Sequence, residues 1–210
     1  MPKVKPHRTS PSLDMTPMVD LAFLLVTFFM LTTKFAPEET VVVDTPSSIS
    51  DLKLPENNVI TLTVDKNKRV FFGVDAPQTK IQALQRVGAK YGVNFTAAQA
   101  KEFSNLPNFG SSISQLGSYL NMAKEDRKQV NKELKGVPMD SLNNQLIDWV
   151  LEARRANQAI FHKPTYIAIK GDGDADVSTV QQVIKVLQEK DINRFNLITD
   201  MENKPVAATR

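Results

Sequence analysis

The first change of pattern along the chain is an apolar run from Met15 to Phe35, MTPMVDLAFLLVTFFMLTTKF, whose only formal charges are Asp20 and Lys34. At ~1.5 Å of rise per residue, roughly 20 helical residues cross a hydrocarbon core, so residues 15–35 read as one transmembrane helix. Beyond it the period changes. In VITLTVDKNKRVFFG, Ile60, Leu62 and Val64 alternate with Thr61 and Thr63, a polar turn follows at Asp65 to Lys68, and a second apolar run completes a β-hairpin. A helix is expected over Met139 to Asn157, with Leu142, Leu146, Trp149 and Val150 on one face. PTYIAIKGD predicts a strand over Thr165 to Ile169. Ser178 and Gln181 form a capping box for a helix bearing Val180, Val183, Ile184 and Leu187, and FNLIT supplies a last strand.

These elements divide the chain into a basic arm (1–14), the transmembrane helix (15–35), a tether (36–58) and an α+β domain (59–210) with the order β-β-α-β-α-β. A helical insertion of about residues 78–137 interrupts that order. Ile81, Leu84, Val87 and Tyr91 recur at helical spacing, FTAAQAKEFSNLPNFG predicts a short second helix ending by Pro107, and Ser114 to Leu134 a third. The charged tract KEDRKQVNKELK within the third reads as a solvated face, with a recognition surface for another protein as the alternative. In the tether, Pro37, Pro46, Pro55 and the pair Ser47 and Ser48 interrupt regular structure. Val41, Val42 and Val43 are the exception, a β-branched run suited to a short edge strand or to strand addition onto another chain.

Composition narrows the function classes. With 210 residues, 41% of them apolar, the chain can bury the core of one modest domain plus appendages. There is no cysteine, which removes thiolate metal sites, cysteine nucleophiles and disulfides. The net charge of +3 is mixed through the chain instead of forming a stripe, so nucleic acid is not an expected partner. His7 and His162 are the only histidines, and no GxSxG, HExxH or phosphate-loop pattern occurs, so no enzyme is expected. GDGDAD (171–176) imitates a calcium loop through Asp172, Asp174 and Asp176. Counting from Asp172, however, the sixth position is Val177 and the twelfth is Val183, so the run reads as a strand-to-helix link. Trp149 is expected in the core.

Orientation follows from charge. Lys3, Lys5 and Arg8 precede the span, whereas Glu38, Glu39 and Asp44 follow it, which places the N-terminus in the cytoplasm. A cleaved signal peptide is disfavoured, because no A-x-A follows and an aspartate sits inside the apolar run. Thr16 is the expected N-cap and Pro17 the first helical residue. Asp20 and, seven residues on, Thr27 share one face with Thr16. Two roles are open to Asp20: a carboxylate that snorkels to the headgroups, or a proton carrier. An ionised aspartate at membrane depth costs roughly 2.5–3.5 kcal/mol on insertion scales, and a membrane potential supplies about 2.3 kcal/mol per charge per 100 mV, so protonation can gate a movement.

LDMTPMVDLAFLLVTFFMLT, entered from a short basic arm, closely resembles the signature of the ExbD/TolR family, with Thr16, Pro17 and Asp20 in the family's order. The resemblance implies that Asp20 is the proton-carrying aspartate and that Thr27 is a supporting hydroxyl on the same helix. It implies a homodimer whose two helices stand inside a pentameric ExbB/TolQ-like ring in the bacterial inner membrane, with the C-terminal domain periplasmic. The coupling ion is then H⁺, with no other cofactor. The family also keeps an apolar strand-like segment ending in a proline near Val41–Val43, suited to strand exchange or a regulatory contact. The α+β order is similar to the family's periplasmic domain, but the 78–137 insertion departs from its compact members. The expected function is that of an ExbD-like subunit of a proton-motive-force-driven motor that energises outer-membrane transport through a TonB-like protein. The alternatives are a TolR-like subunit of the Tol–Pal motor, or a tethered binding module whose helix is only an anchor. A MotB-like stator is disfavoured, since such proteins continue into a larger peptidoglycan-binding domain. Peptidoglycan contact stays open.

Overall fold

A computed structural model describes residues 15–33, 40, 41, 43, 47, 48, 58–140, 143–198, 200 and 201. It falls into two compact units, Met1–Ala36 and Pro37–Arg210.

The first unit holds α1 (Thr16–Thr32). Its N-cap is Met15, not Thr16, and the Met15 carbonyl accepts from Val19 N–H at 3.0 Å. Pro17 therefore sits second in the helix, where the missing N–H still costs nothing because first-turn donors have no intrahelical acceptor. At the other end Thr33 turns extended and the hydroxyls of Thr32 and Thr33 donate back to Phe28 and Phe29 carbonyls, closing the helix. Where a helix over 15–35 was expected, α1 runs for 17 residues, about 25 Å at 1.5 Å per residue. Among the described residues no helix is long and apolar enough to cross a membrane. Lys34 and Phe35 lie outside the described residues.

The second unit runs β1 (Ser47–Ser48), β2 (Val59–Val64), β3 (Val70–Val74), α2 (Pro77–Tyr91), α3 (Ala97–Asn105), β4 (Asn108–Phe109), α4 (Ile113–Asn121), α5 (Lys124–Glu133), β5 (Met139–Asp140), β6 (Asn143–Asn144), α6 (Gln145–Phe161), β7 (Tyr166–Gly171), α7 (Val177–Gln188), β8 (Asn196–Ile198) and β9 (Asp200–Met201). Five strands make a mixed sheet in the order β4-β3-β2-β7-β8. The β2–β3 and β3–β4 pairs are antiparallel, while β2–β7 and β7–β8 are parallel. This is a small mixed α/β domain, and the stretch expected as a helical insertion, about residues 78–137, holds nearly all of α2 together with α3, β4, α4 and α5. Ser47 and Ser48, expected to interrupt regular structure, instead pair in parallel with β9.

Register sets the core. Ile60, Leu62 and Val64 face the same way as their partners Val74, Phe72 and Val70 on β3, and as Ile167 and Ile169 on β7. Helices α2, α6 and α7 bury Leu84, Val87, Leu146, Val150, Val183 and Leu187 in the same cluster. Trp149, fully buried as expected, stacks on Phe103 of α3 at 5.6 Å and meets Phe109 of β4 edge-on at 4.9 Å. Phe72 of β3 lies 5.8 Å from the same ring.

The insertion is sewn to β3 at several points. The Phe72–Phe109 pair joins β4 to the sheet edge, and a Cβ at Gly110 would run into the Phe71 ring, so only glycine allows the approach. At the return, Gly136 takes φ +83°, a Cβ there would stand 2.7 Å from Val70 N, and Val137 N–H donates to Val70 O at 2.8 Å. In the turn before β3, buried Asp65 pairs with half-buried Arg69. Asp65 accepts from the N–H groups of Asn67 and Arg69 and from Arg69 Nε at 2.7 Å. The other arm of the same guanidinium donates to the carbonyls of Asn131, Lys132 and Leu134, closing the C-terminal end of α5.

Several local expectations need correction. The predicted third helix breaks into α4 and α5 at the extended residues Met122 and Ala123. The break frees the Leu120 carbonyl to accept from buried Arg127 at 2.7 Å. The helix expected from Met139 starts at Gln145, because Met139–Asp140 and Asn143–Asn144 pair as a small hairpin and the Asn144 side chain caps Ile147 N–H. Leu142 lies outside the described residues. α7 is capped by Asp176, which accepts from both the N–H and the hydroxyl of Ser178, and not by a Ser178–Gln181 box. Thr96 and Gln99 do form such a box, at α3.

Two outcomes follow for stability. Arg69→Met removes the charged partner of Asp65, which keeps its two backbone N–H donors, and is expected to cost about 1–3 kcal/mol in chemical denaturation, with much of it recovered in the Asp65→Asn/Arg69→Met double variant. Tyr91 on α2 donates to Asp148 of α6 at 2.7 Å. Burial, that hydrogen bond and the Asp148 charge push its phenol from 10.0 up to about 12. The folded state therefore holds a proton that the unfolded chain has released, and stability falls as pH rises from 10.0 to about 12. In Tyr91→Phe, denaturation midpoints measured across that window should lose this component of the decline.

Candidate functional site

Thr16, Asp20 and Thr27 lie on one strip of α1, within ~40° of arc at 100° per residue. Asp20 is exposed, and the Thr27 hydroxyl donates to Leu24 O at 2.9 Å, which satisfies it inside its own helix. Pro17 lies one turn before Asp20. Around the strip, twelve large apolar side chains from Met15 to Leu31 are each more than half exposed, reaching 88 % at Leu31, and no residue of α1 is buried. The apolar surface that covers most of the circumference of α1 is left uncovered by the described residues.

Of Val41, Val42 and Val43, the first packs against the domain core and the third is buried, while Val42 lies outside the described residues. Neither Val41 nor Val43 is in a strand. Beside them Thr40 N–H donates to Asn108 Oδ1 at 3.0 Å and its hydroxyl to Asn108 O at 2.6 Å, fastening the tether to β4.

Thr40 and Val41 help line a groove of about 450 Å³ over the insertion. Leu106 and Pro107 line it too, as do Lys124, Lys128 and Lys132 of α5. Arg127, 6 % exposed, lies among them. Its Nη atoms donate to Glu102 at 3.2 and 3.3 Å and to Leu120 O, its guanidinium lies over the Tyr119 ring, and its Nε has no acceptor among the described residues. Burial raises the Tyr119 phenol above its usual value, against the lowering effects of Thr40, Arg127 and Asn131. The sequence pattern treated this tract as a solvated face. Arg127, Val130 and Leu134 in fact keep an inward spacing of three and four, with a cation at the first position, and that stripe was the missed signal.

The acidic run is a linker: Asp172 N–H donates to Val64 O, Asp172 Oδ1 accepts from Asp174 N–H, and Asp176 caps α7. Hydrogen bonds from Ser178, then Lys68, hold the Asp176 carboxyl down at about 2. Among the described residues no group of three or more acidic or imidazole side chains is arranged to hold a metal ion.

The profile of the family described as biopolymer transport protein ExbD/TolR matches residues 6–202. Neither a curated protein nor a solved structure matches the chain. Members of this family are inner-membrane proteins of biopolymer transport, not known as enzymes, that work in a membrane complex with ExbB/TolQ and TonB/TolA partners. With nearly the whole sequence matched, from the basic arm through α1 to β9, the chain belongs to the ExbD/TolR family.

Proposed function

We propose that the chain is the ExbD-like subunit of a proton-motive-force-driven inner-membrane motor that energises TonB-dependent transport across the outer membrane, with Asp20 as its proton carrier. The observation that carries this is a single carboxylate on a narrow polar strip of an otherwise apolar helix with no buried residue. In water such a helix would aggregate, and in bare lipid its carboxylate would be costly. Inside a ring of partner helices both difficulties are removed, because the strip can meet polar groups and the apolar flanks can pack.

The described part of α1 is short for a span. At 17 residues it lies at the short end of what spans a bilayer, and a short helix is accommodated by association with longer neighbours or by local thinning. Two copies standing within a pentameric ExbB/TolQ-like ring, N-terminus cytoplasmic and domain periplasmic, would place both Asp20 carboxylates where the membrane potential acts. Protonation then removes the charge, and about 2.3 kcal/mol per charge per 100 mV becomes available to bias a movement. H⁺ suits a lone carboxylate with hydroxyls nearby, since sodium asks for several oxygen ligands. Thr16 and Thr27 support the strip, and Val41 to Val43 supply a regulatory contact.

The test is co-expression with the ExbB/TolQ-like partner and measurement of force-dependent uptake through a TonB-dependent receptor, at matched membrane levels. Asp20→Asn should bring uptake down to the level without the chain, while Thr27→Val lowers it only in part. Uptake that persists in Asp20→Asn would mean that α1 serves as an anchor only.

A further inference from the structure

The start of the tether is fastened to the insertion by groups that can part and be rewetted. Thr40 donates twice to Asn108, from its N–H to the side-chain Oδ1 at 3.0 Å and from its hydroxyl to the main-chain carbonyl at 2.6 Å. The Tyr119 phenol of α4, which donates to Asn131 at 2.7 Å, lies beside the same threonine. Just beyond, Val41 packs against the core cluster and Val43 is 6 % exposed. Asn108 is itself buried, on an edge strand of the five-stranded sheet. A polar side chain in that position is costly unless it is hydrogen-bonded, and here the bond comes from the tether.

This attachment differs in kind from the one at Asp65 and Arg69. Parting that pair would leave a carboxylate inside the domain. Both Thr40–Asn108 bonds are only part-buried, so their donors and acceptors return to water when the tether leaves. Further along, Ser47 and Ser48 are held separately, by β9. The two attachments give the connection to α1 two lengths. With Thr40 held, seven residues lead to it from Thr33 at the end of α1, at most about 25 Å of extended chain. With Thr40 free and Ser47 held, the count is fourteen residues and at most about 50 Å.

We propose that the Thr40–Asn108 contact is a latch that stores the start of the tether against the insertion, and that its release doubles the length of chain between α1 and the domain. The proposal rests on the reading of α1 as a membrane helix and of Val41 to Val43 as a regulatory contact. It names the surface that this contact uses and what it regulates. The catch, Asn108 with Tyr119, belongs to the stretch 78–137, which thereby sets how far the domain can travel from the membrane.

The chain has no cysteine, so each introduced thiol reports on its own position. In the full chain in nanodiscs, Val43→Cys should react slowly with fluorescein maleimide, and at least about tenfold faster once Thr40→Val and Asn108→Ala are added. Thr40→Val by itself should give a smaller rise. Val183→Cys, on the buried face of α7, should stay protected in both backgrounds, which separates release of the tether from unfolding of the domain. If it loses protection in the double variant, Thr40→Val alone decides by the same comparison. Spin labels at Thr33→Cys and Gln188→Cys, in labelled chains diluted with unlabelled ones, should give a longer and broader distance distribution when the latch is broken. Val43→Cys reacting as fast as exposed Gln188→Cys while Thr40 and Asn108 are intact overturns the proposal, and so does an unchanged distance distribution in the released variant. Neither readout involves Asp20. Failure of the latch therefore leaves the motor reading in place, and uptake that persists in Asp20→Asn leaves the latch in place.

Discussion

The domain turns on one ion pair, in which half-buried Arg69 holds a buried Asp65. Asp65 and Arg69 close the tip of the first hairpin, and the same guanidinium reaches across to hold three carbonyls at the end of α5. A pair of this kind adds little net stability, because desolvation offsets most of the attraction. What it adds is placement. A turn whose conformation is fixed by Asp65 sets the position of Arg69, and Arg69 in turn fixes where α5 ends. The aromatic group of Phe72, Phe103, Phe109 and Trp149 completes the attachment from the other side, drawing two of its four rings from the insertion. The stretch from α3 to α5 is thus a structural part of the core.

The sequence made the regular elements legible wherever one periodicity ran without competition. The stripe of α2 and the inward face of α6 appear in the structure as a period of burial, while β2 keeps its alternating residue types although Val59 and Thr63 on its other face are buried too. Misplacements fell where side chains compete with the backbone. Asp176 displaced Ser178 as the cap of α7, Asn144 started α6 late, and Met15 rather than Thr16 began α1. At α7 both Asp176 and Ser178 satisfy the capping rule, and only the path of the incoming chain selects between them, whereas Met15 begins α1 with no side-chain cap at all. Arg127 was illegible for another reason. Charge in a tract of charges reads as solvent-facing, yet its long stem packs inward and its head is met by Glu102 and Leu120 O.

The candidate chemistry was legible to a different degree in the two units. In α1 the positions of Thr16, Asp20 and Thr27 follow from helix geometry alone, so the strip could be drawn before any coordinates. The groove could not, because it is assembled from the tether, from Arg69 at the hairpin tip, and from α3, α4 and α5 with the loops that join them. A single proton-carrying group needs little more than a helix and an apolar surrounding. A hold on the tether needs Asn108 and Tyr119 brought together from separate elements, and that requires a folded domain.

The sheet order has a kinetic side. Its central strand β2 finds one neighbour in β3, a few residues away, and the other in β7, where Ile60 pairs with Ile167. During synthesis the hairpin and the helices of the insertion emerge first, while one long edge of β2 waits for a partner that has not yet been made. Loop closure across such a distance must come before the parallel contacts repay it, so docking of β7 is the slow event of folding. Until then the unpaired edge of β2 is the site most open to pairing with another chain. In this fold, the interval before the sheet closes is when the chain most needs protection from its own copies.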